Sequence, residues 1–292
     1  MIRVRVSSLP LQGLRFLVVS ACAILAGLCL PPAARADDLP VLFDARERLP
    51  RPDLSGLLRV RFLTTTNFPP FNFADQTGRL SGFHIDLARA ICAELGIEAK
   101  CQIQALPYNE LETTLDAGQG DAVLAGIGVS EELRARFSFT RPYMLLPARF
   151  ARNKKAVLEG EDARALFGRR VGVVSGTAHE AMLKAFFPDI QAAGFSDRET
   201  MLDELKAGKV DAVFSDSLRL SFWVAGEASA DCCALFGRAY VSEHFLGEGL
   251  TIMLRKDDPQ QLTAAFDSAL AALSRNGRLQ EIYLRYFPYG LF

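Results

Sequence analysis

The sequence predicts an α/β protein whose main part forms two lobes, each a central mixed, mostly parallel sheet flanked by helices. Apolar segments of strand length alternate with amphipathic segments of helix length, and this alternation is typical of parallel sheets. A short pattern also recurs, since Leu115–Val123 matches Leu205–Val213 at an offset of 90 residues. In both copies a helix stops at glycine and a turn leads to an apolar strand. Coincidence is the alternative for so short a match, and two lobes of similar topology is the preferred interpretation.

The composition excludes several classes of function. The chain has 292 residues, of which 50% are hydrophobic and 23% are charged, as expected for a protein with a sizeable core. Its formal net charge of -1 gives no basic field, so we expect no nucleic-acid partner. The three histidines come without a C-x-x-C or H-E-x-x-H motif, and P-loop, G-x-G-x-x-G and G-x-S-x-G motifs are also missing. We therefore expect no metal, no cofactor and no nucleotide.

The N-terminus has the layout of a secretory signal peptide over residues 1–36. Arginines precede an uncharged apolar run, Phe16–Leu30, and small residues follow at Ala34 and Ala36. This run of about 15 residues is short of the roughly 20 that a membrane span needs, although a stop-transfer helix is the alternative. A lipobox-like sequence ends at Cys22, but the apolar run continues past it, which disfavours a lipid anchor. The layout predicts export, with a mature chain that starts at residue 37.

The elements of the first half follow from periodicity and from helix and turn signals. Residues 37–55 are rich in Pro, Asp and Arg, have no steady period and are predicted to form a poorly ordered arm. The predicted elements after the arm are a strand at Leu57–Thr64, a helix at Gly82–Gly96, a strand at Glu98–Ala105, a short helix ending at Gly118 and a buried strand at Asp121–Ala125.

The second half repeats this order. The predicted elements are a strand at Arg170–Val174, a turn at Ser175–Thr177, a helix at Ala178–Phe187, a helix that starts with a capping box of Ser196 and Glu199, and the repeated strand from Asp211 to Asp216. Two helices close the chain, one from Asp258 to about Arg275 and one at Leu279–Tyr286.

Residues after the predicted strands indicate a binding site, because open α/β sheets bind ligands at the carboxyl ends of their strands. Phe68 follows the first strand, and Pro69–Pro70 stiffen its loop so that an aromatic face can be presented with little entropy to lose. Gly126 and Gly128 follow the Asp121 strand and allow a ligand close to free backbone N–H groups. Core packing of the ring and an ordinary tight turn are the alternative interpretations.

Further candidates supply charge. Arg134 lies one helical turn past the predicted cap Ser130 and offers a bidentate grip on a carboxylate. Thr177 and the first amides of the next helix, joined by His179, form an anion site through unpaired N–H groups and the helix dipole. Asp216 ends the repeated strand and can accept a ligand ammonium. A solvated arginine and satisfied helix caps are the alternatives, whereas together these residues complement a zwitterionic α-amino acid held between two lobes.

Six segments carry a resemblance to a known family. They are Phe68–Phe71, Gly82–Ile91, Gly120–Val123, Phe139–Tyr143, Val171–Thr177 and Asp211–Asp216. Over about Leu57 to Pro288 the chain resembles the periplasmic solute-binding proteins (family 3, type II fold) that serve amino-acid ABC transporters. The resemblance implies a monomeric periplasmic protein with no enzymatic activity that closes on an amino acid and docks on ABC permease subunits. It also implies a lobe one of 56–148 with 241–292 and a lobe two of 149–240, joined by a two-strand hinge.

The resemblance further implies roles for the site residues. Phe68 stacks on the ligand, an arginine and Thr177 hold its carboxylate, and Asp216 holds its ammonium. Backbone contacts come from the loop between Gly126 and Gly128. The remaining candidates for ligand contact are Ala125, Ala178 and His179.

Several positions depart from the family's pattern. His84 stands where the signature usually has an acid, and Gly128 lacks the hydroxyl often found at its place. The usual arginine corresponds to Leu133, and Arg134 is the next residue, near the same helix face, from which it could still reach the cleft. The first strand ends at Thr64–Thr66 without the aspartate that members for cationic amino acids tend to carry, which disfavours lysine, arginine or histidine as ligand.

The cysteines fit an exported protein. Some relatives bridge the place of Cys92 and Cys101, so the resemblance implies a disulfide there, with two buried thiols as the alternative. Such a bridge would contribute about 2–3 kcal/mol on the loop-entropy scale. Whether Cys232 and Cys233 form a vicinal bridge stays open.

Two other functions fit the same fold. One is a periplasmic accessory protein of another enzyme system, which the missing hydroxyl and the shifted arginine favour. The other is a dehydratase of the cyclohexadienyl or arogenate type, which needs a cleft acid to protonate a leaving hydroxyl. His179 and Glu180 are the residues available near the cleft for that task, and neither has a visible partner. The leading hypothesis is the transport-linked binding protein, with the identity of its amino acid left open.

Overall fold

The computed structural model describes residues 38–44, 46–258 and 260–292. These residues belong to one compact unit. The predicted signal peptide and the lipobox cysteine Cys22 lie outside the described residues.

Strands and helices alternate along the described residues. The strands are β1 (Val60–Thr64), β2 (Asn67–Phe68), β3 (Asn72–Ala74), β4 (Leu80–Ser81), β5 (Cys101–Ala105), β6 (Ala122–Val123), β7 (Phe137–Phe139), β8 (Ala148–Asn153), β9 (Arg170–Val174), β10 (Gln191–Phe195), β11 (Ala212–Asp216), β12 (Cys233–Tyr240) and β13 (Met253–Arg255). The helices are α1 (Phe83–Leu95), α2 (Leu111–Asp116), α3 (Glu131–Arg136), α4 (Ala178–Phe186), α5 (Arg198–Lys206), α6 (Ser217–Ala225), α7 (Glu243–Leu246), α8 (Leu262–Arg275) and α9 (Arg278–Tyr286).

Two five-stranded sheets of the same layout form the two lobes. The strand order is β5-β1-β6-β13-β7 in lobe one and β10-β9-β11-β8-β12 in lobe two. In each sheet the first three strands are parallel, and the fourth is antiparallel to both of its neighbours. A small antiparallel sheet of β2, β3 and β4 is added to lobe one. The predicted two-lobed α/β fold with mixed, mostly parallel sheets is thus confirmed.

The internal repeat occupies the same place in both sheets. In each copy an aspartate pairs through both its N–H and its carboxylate with one residue near the start of the adjacent parallel strand. Arg61 N donates to Asp121 Oδ2 at 2.7 Å, and Arg170 N donates to Asp211 Oδ2 at 3.2 Å. The aspartate N–H groups donate back to the carbonyls of Arg61 and Arg170. The repeat therefore fixes the register of the third strand in each sheet.

Each lobe has its own apolar core. In lobe one, α1 packs against α8 and α9, and Phe62 of β1 stacks on Phe266 of α8 with ring centroids 5.2 Å apart. In lobe two, Phe150, Phe187 and Phe214 form an aromatic cluster between the sheet and α4, with the closest ring centroids 4.6 Å apart. Because each sheet has its own core, each lobe also has its own edge at which the carboxyl ends of its parallel strands lie.

The N-terminal arm is packed, which corrects the prediction of poor order for residues 37–55. Leu39, Phe43 and Leu54 are buried in the core of lobe one. The backbone N–H of Leu39 donates to Gln280 Oε1 of α9 at 2.8 Å. Sequence periodicity missed this because the arm contacts the lobe through separate apolar residues rather than through a regular element.

Two parts of the stretch 241–292 contact lobe two. Phe245 and Leu246 of α7 pack against the core of lobe two, and Phe245 meets Phe186 of α4 with ring centroids 5.6 Å apart. Near the other end of the stretch, Ser221 Oγ of α6 donates to the carbonyl of Gly290 at 3.2 Å. Within the stretch 241–292, which was predicted to belong to lobe one, both α7 and the C-terminal residues near Gly290 therefore contact lobe two.

Some element boundaries differ from those predicted. β1 begins at Val60 rather than Leu57, because Leu57 N donates to Leu54 O in a turn. β5 begins at Cys101 after a short 3-10 helix, Glu98–Lys100. α8 begins at Leu262 rather than Asp258, although the Asp258 carboxylate accepts hydrogen bonds from the first two N–H groups of α8.

Each lobe contains a disulfide. The implied bond between Cys92 and Cys101 is present and joins α1 to β5, with the two Cα atoms 6.5 Å apart. Cys232 and Cys233 are also bonded to each other at the start of β12, which answers the question that the sequence left open.

Candidate functional site

The carboxyl ends of β5, β1 and β6 lie at one edge of the lobe-one sheet, because these strands are parallel. The segments that leave and re-enter lobe one lie at this same edge. Met253, the first residue of β13, is opposite Val123, the last residue of β6. Just beyond it, Tyr143 N donates to Leu250 O at 2.9 Å, so the two crossing segments run side by side.

The crossing chain enters lobe two at the corresponding edge of the second sheet. Ala148, the first residue of β8, is opposite Asp216, the last residue of β11. The backbone N–H of Ser217 donates to the carbonyl of Pro147 at 2.8 Å. Because β9, β10 and β11 are parallel, their carboxyl ends share this edge. The carboxyl edges of both sheets therefore adjoin the crossing segments, and the region between these edges is the candidate cleft.

The lobe-one face of the cleft is aromatic and neutral. The ring of Phe68 lies on Gly126, where an added Cβ would be only 2.7 Å from Phe68 Cε1. Gly126 also has a φ of 72°, in the left-handed region that favours glycine. The Phe68 ring also stacks on Phe71, with centroids 4.8 Å apart. Two residues that the sequence predicted for the site are thus brought into contact.

A buried polar network lies beneath this aromatic face, and sequence reasoning did not find it. His84 Nδ1 is 2.8 Å from Asn72 Oδ1, and His84 Nε2 is 2.8 Å from the hydroxyl of Tyr143. Asn72 Nδ2 donates in turn to the carbonyl of Thr65 at 3.1 Å. Burial lowers the pKa of His84 to about 3 and raises the pKa of Tyr143 well above its ordinary value, so both are neutral. The network ties the loop before Phe68 to α1.

The rest of the Gly126 loop is less enclosed. Gly128 is exposed, and an added Cβ there would meet nothing within 4 Å. Ala125 is buried with 4% of its surface exposed, so its side chain belongs to the core. Ser130 caps α3 as predicted, accepting a hydrogen bond from Leu133 N at 3.2 Å.

Arg134 has partners of its own. Its guanidinium pairs with the Glu248 carboxylate and lies 5.8 Å from the centroid of the Phe139 ring. Its carbonyl accepts a hydrogen bond from Lys256 Nζ at 2.9 Å. In the described part of the chain, none of these contacts reaches Phe68 or Gly126. Arg134 therefore makes no contact with Phe68 or Gly126 in the described structure, and its guanidinium is paired with Glu248 instead.

On lobe two, Thr177 caps α4. Its Oγ1 donates to Val174 O at 2.7 Å and accepts from Glu180 N at 3.3 Å. Glu180 also accepts a hydrogen bond from Gly176 N at 2.7 Å. The neighbouring Ala178 is exposed at the first position of the helix. Part of the predicted anion site is therefore occupied by a side chain of the protein itself.

Asp216 lies in a cluster of charged residues. Its Oδ1 accepts a hydrogen bond from Arg219 N at 2.8 Å and so caps α6. Its Oδ2 is 3.5 Å from Arg198 Nη2 and 4.0 Å from Arg219 Nε. Neither arginine was predicted from the sequence, although Arg219 follows Asp216 by one helical turn and Arg198 opens the helix after β10.

His179 adjoins this cluster at the first turn of α4. Its ring lies 6.3 Å from the ring of Phe214, centroid to centroid. Burial, the largest cause, lowers the pKa of His179; the Asp216 carboxylate opposes this shift, and the guanidiniums of Arg198 and Arg219 add to it, so that the pKa is lowered. His179 is therefore neutral at pH 7.

Other types of site are not formed by the described residues. Within residues 38–44, 46–258 and 260–292, no group of three or more His, Cys, Asp or Glu side chains is arranged to hold a metal ion. The helices of that same part include none with both the length and the apolar character needed to cross a bilayer.

Known proteins share both the sequence pattern and the fold. Residues 60–289 match the bacterial extracellular solute-binding proteins, family 3. The ABC transporter arginine-binding protein 1 of Escherichia coli K12 is 26% identical over 238 residues, which cover 80% of this chain and 93% of that protein. The L-cystine-binding protein of the same strain is 26% identical over 271 residues, or 92% and 93% of the two chains.

A solved structure supports the same fold. The L-cystine solute receptor of Neisseria gonorrhoeae, in the unliganded open conformation, matches with a TM-score of 0.66 at 20% identity. The match covers 78% of this chain and 92% of that one. Since the family match spans residues 60–289, most of the chain, the protein belongs to the bacterial extracellular solute-binding proteins of family 3.

Proposed function

We propose that this protein binds a small solute, an L-amino acid, in the cleft between its two lobes and delivers it to the permease subunits of an ABC transporter. We place it in the periplasm, as a monomer exported by a cleaved signal peptide. Membership of the family supports the binding role, and the relatives named for arginine and L-cystine support an amino acid as the class of solute.

One observation carries the proposal: the two carboxyl edges adjoin the same pair of crossing segments and carry complementary chemistry. Lobe one offers the Phe68 ring on Gly126, and lobe two offers Asp216 and the start of α4. A zwitterion with an apolar stem needs an aromatic face and groups of both charges. Closure of the lobes about the crossing segments would bring these groups together.

The dehydratase alternative has no suitable acid among its candidates. Glu180 accepts hydrogen bonds from Lys184 Nζ at 2.8 Å and from Gly176 N at 2.7 Å, and these bonds lower its pKa. A carboxyl with a lowered pKa is ionised at neutral pH and cannot protonate a leaving hydroxyl. Burial lowers the pKa of His179, so its imidazole is neutral at pH 7, and a neutral imidazole cannot act as the general acid.

A thermal-shift screen of the purified protein tests the proposal. The protein is unfolded and refolded to remove any bound solute, and its Tm is then measured with each amino acid in turn. A ligand at a hundred times its Kd stabilises the folded state by about 2.7 kcal/mol, which raises Tm by several degrees. A flat screen across all amino acids contradicts the proposal and favours an accessory role instead.

A further inference from the structure

The charged cluster at the lobe-two edge has an excess of positive charge. We define it by Arg198, Arg219, Asp216 and His179; the charges of Asp216 and Arg219 act on the pKa values of both His179 and Arg198. The two guanidiniums carry two positive charges, the carboxylate carries one negative charge, and the neutral imidazole carries none. The cluster therefore has a net charge of about +1 at pH 7.

Neither guanidinium is fully used by Asp216. The distances of 3.5 Å to Arg198 Nη2 and 4.0 Å to Arg219 Nε are long for charge-assisted hydrogen bonds, which are normally about 2.7–2.9 Å. In addition, the Nε of Arg198 is buried without a hydrogen-bond acceptor among the described residues. The guanidinium of Arg198 therefore has more donors than the described residues use, and its Nη groups are the ones that a ligand oxygen could reach.

The position of the cluster places it in the cleft. Arg198 opens α5 directly after β10, Arg219 lies in the first turn of α6 after β11, and His179 lies in the first turn of α4 after β9. All three therefore come from the carboxyl edge of the sheet, beside the point where the chain crosses between lobes. On the opposite edge, the two described residues in contact, Phe68 and Gly126, are themselves uncharged.

We infer that Arg198 and Arg219 bind a carboxylate of the solute and that the solute is an acidic, dicarboxylic amino acid. The inference rests on the proposed function and narrows its ligand class. Such a solute has a net charge of -1 at pH 7, which balances the cluster, and its ammonium group can lie beside Asp216. A neutral amino acid leaves the excess charge in place, and a cationic one adds to it.

The test compares acids with their amides, which have nearly the same shape and differ by one charge. Isothermal titration calorimetry at pH 7.5 and fixed ionic strength gives the Kd of L-glutamate, L-glutamine, L-aspartate and L-asparagine, and of L-arginine and L-lysine as cationic comparisons. We expect the acid of one pair to bind at least about tenfold more tightly than its amide. We expect the Arg198→Gln variant to reduce this ratio to about threefold or less.

Arg164→Gln is the matched control, because Arg164 is also a lobe-two arginine paired with an aspartate, Asp162, but its side chain is 80% exposed. This variant should keep the wild-type ratio. Amides that bind as tightly as the acids, an unchanged ratio in Arg198→Gln, or tighter binding of arginine or lysine would each overturn the inference while leaving amino-acid binding intact.

Succinate separates failure of the inference from failure of the proposed function, since it has two carboxylates and no ammonium group. If no amino acid binds but succinate does, and Arg198→Gln weakens it, the anion site stands and the amino-acid function is wrong. If neither amino acids nor succinate bind, both are wrong.

Discussion

The two lobes share a repeated segment, but the residue at the corresponding place near its end is uncharged in lobe one and charged in lobe two. At the offset of 90 residues, Gly126 of lobe one corresponds to Asp216 of lobe two: Gly126 lies three residues after β6, and Asp216 is the last residue of β11, the equivalent strand. Gly126 lies under the Phe68 ring, whereas Asp216 lies between two guanidiniums. One scaffold thus presents a neutral aromatic face on one side of the cleft and a charged face on the other.

This comparison separates the scaffold from the site. The paired aspartates Asp121 and Asp211 hold the strands in the same register in both lobes, so they are structural. The side chains at and beyond the strand ends are free to differ because the backbone ladder does not depend on them. The neutral face also depends on burial, which keeps His84 uncharged, while the charged face is half exposed and keeps its ions.

The largest effect is expected from His84 as the pH falls. Its pKa is about 3 in the folded protein and near 6.5 in the unfolded chain, so between these values only the unfolded chain takes up the proton. Its contribution to stability is complete above about pH 6.5 and is lost as the pH falls toward 3. We compare the free energy of unfolding of wild type with that of His84→Gln. As the pH falls from 7.5 to 4, we expect the value for wild type to decrease by about 3 kcal/mol more than the value for the variant.

Urea unfolding of both proteins across this pH range measures the difference, in which the titration of shared carboxylates cancels. His179→Gln is the control from lobe two, because His179 is only partly buried and should show a smaller change. Parallel stability profiles for wild type and His84→Gln would show that His84 does not titrate as a buried neutral base.

The next effect in size concerns the two disulfides. The Cys92–Cys101 bond of lobe one spans nine residues and should stabilise the protein by about 2.5 kcal/mol by loop-closure entropy. The Cys232–Cys233 bond of lobe two joins adjacent residues and closes almost no chain. We therefore expect Cys92→Ser/Cys101→Ser to lower the free energy of unfolding by about 2.5 kcal/mol, and Cys232→Ser/Cys233→Ser by well under 1 kcal/mol. Equal losses in the two double variants would contradict this account.

The third effect tests the contact between Phe68 and Gly126. In Gly126→Ala the added Cβ would lie 2.7 Å from the ring, at a φ of 72° that costs about 1–2 kcal/mol for an alanine. We expect a loss of about that size in stability and at least a tenfold loss in amino-acid affinity, because the ring must move. Gly128→Ala is the control, since its Cβ meets nothing within 4 Å. Equal behaviour of the two variants in urea unfolding and calorimetry would show that Phe68 is not held by Gly126.

The smallest effect is expected from the cap of α4. Thr177→Val removes the oxygen that accepts from Glu180 N and should lower stability by about 1 kcal/mol. If Thr177 also contacts the solute, affinity falls as well, whereas Thr177→Ser preserves both the cap and the contact. A Thr177→Val variant with wild-type stability would mean that the cap contributes nothing measurable.

Much of the fold could be predicted because periodicity and glycine stops are local signals. The strand–helix order, the repeat and the Ser130 cap all follow from residues close in sequence. Local signals also misplaced some ends. The predicted capping box at Ser196 gives way to Asp197, whose carboxylate accepts from Thr200 N at 2.8 Å. Ser196 and Asp197 are both suitable N-cap residues, and only the backbone conformation at the start of α5 decides which of them is the cap.

Phe68 and Gly126 could be proposed from the sequence because each of them follows a predicted strand, and the chain position alone places them at the same edge of the sheet. The candidate site was not predictable where the partner is remote in sequence. Arg134 finds Glu248, 114 residues away, and Asp216 finds Arg198, 18 residues away on another helix. The Arg134–Glu248 pair uses a positive charge that the sequence counts as available, whereas the arginines beside Asp216 add positive charge that the sequence did not reveal.

The sequence by itself determined the class of protein, since alternating apolar segments, glycine stops and the repeated aspartate turn each act over a few residues and specify two similar sheets. The tertiary structure alone decided the charge of each cleft face. Whether a guanidinium or an imidazole is free, paired or neutral depends on burial and on neighbours brought together from distant parts of the chain. His84 and Arg198 became informative only when the structure revealed what lies around them.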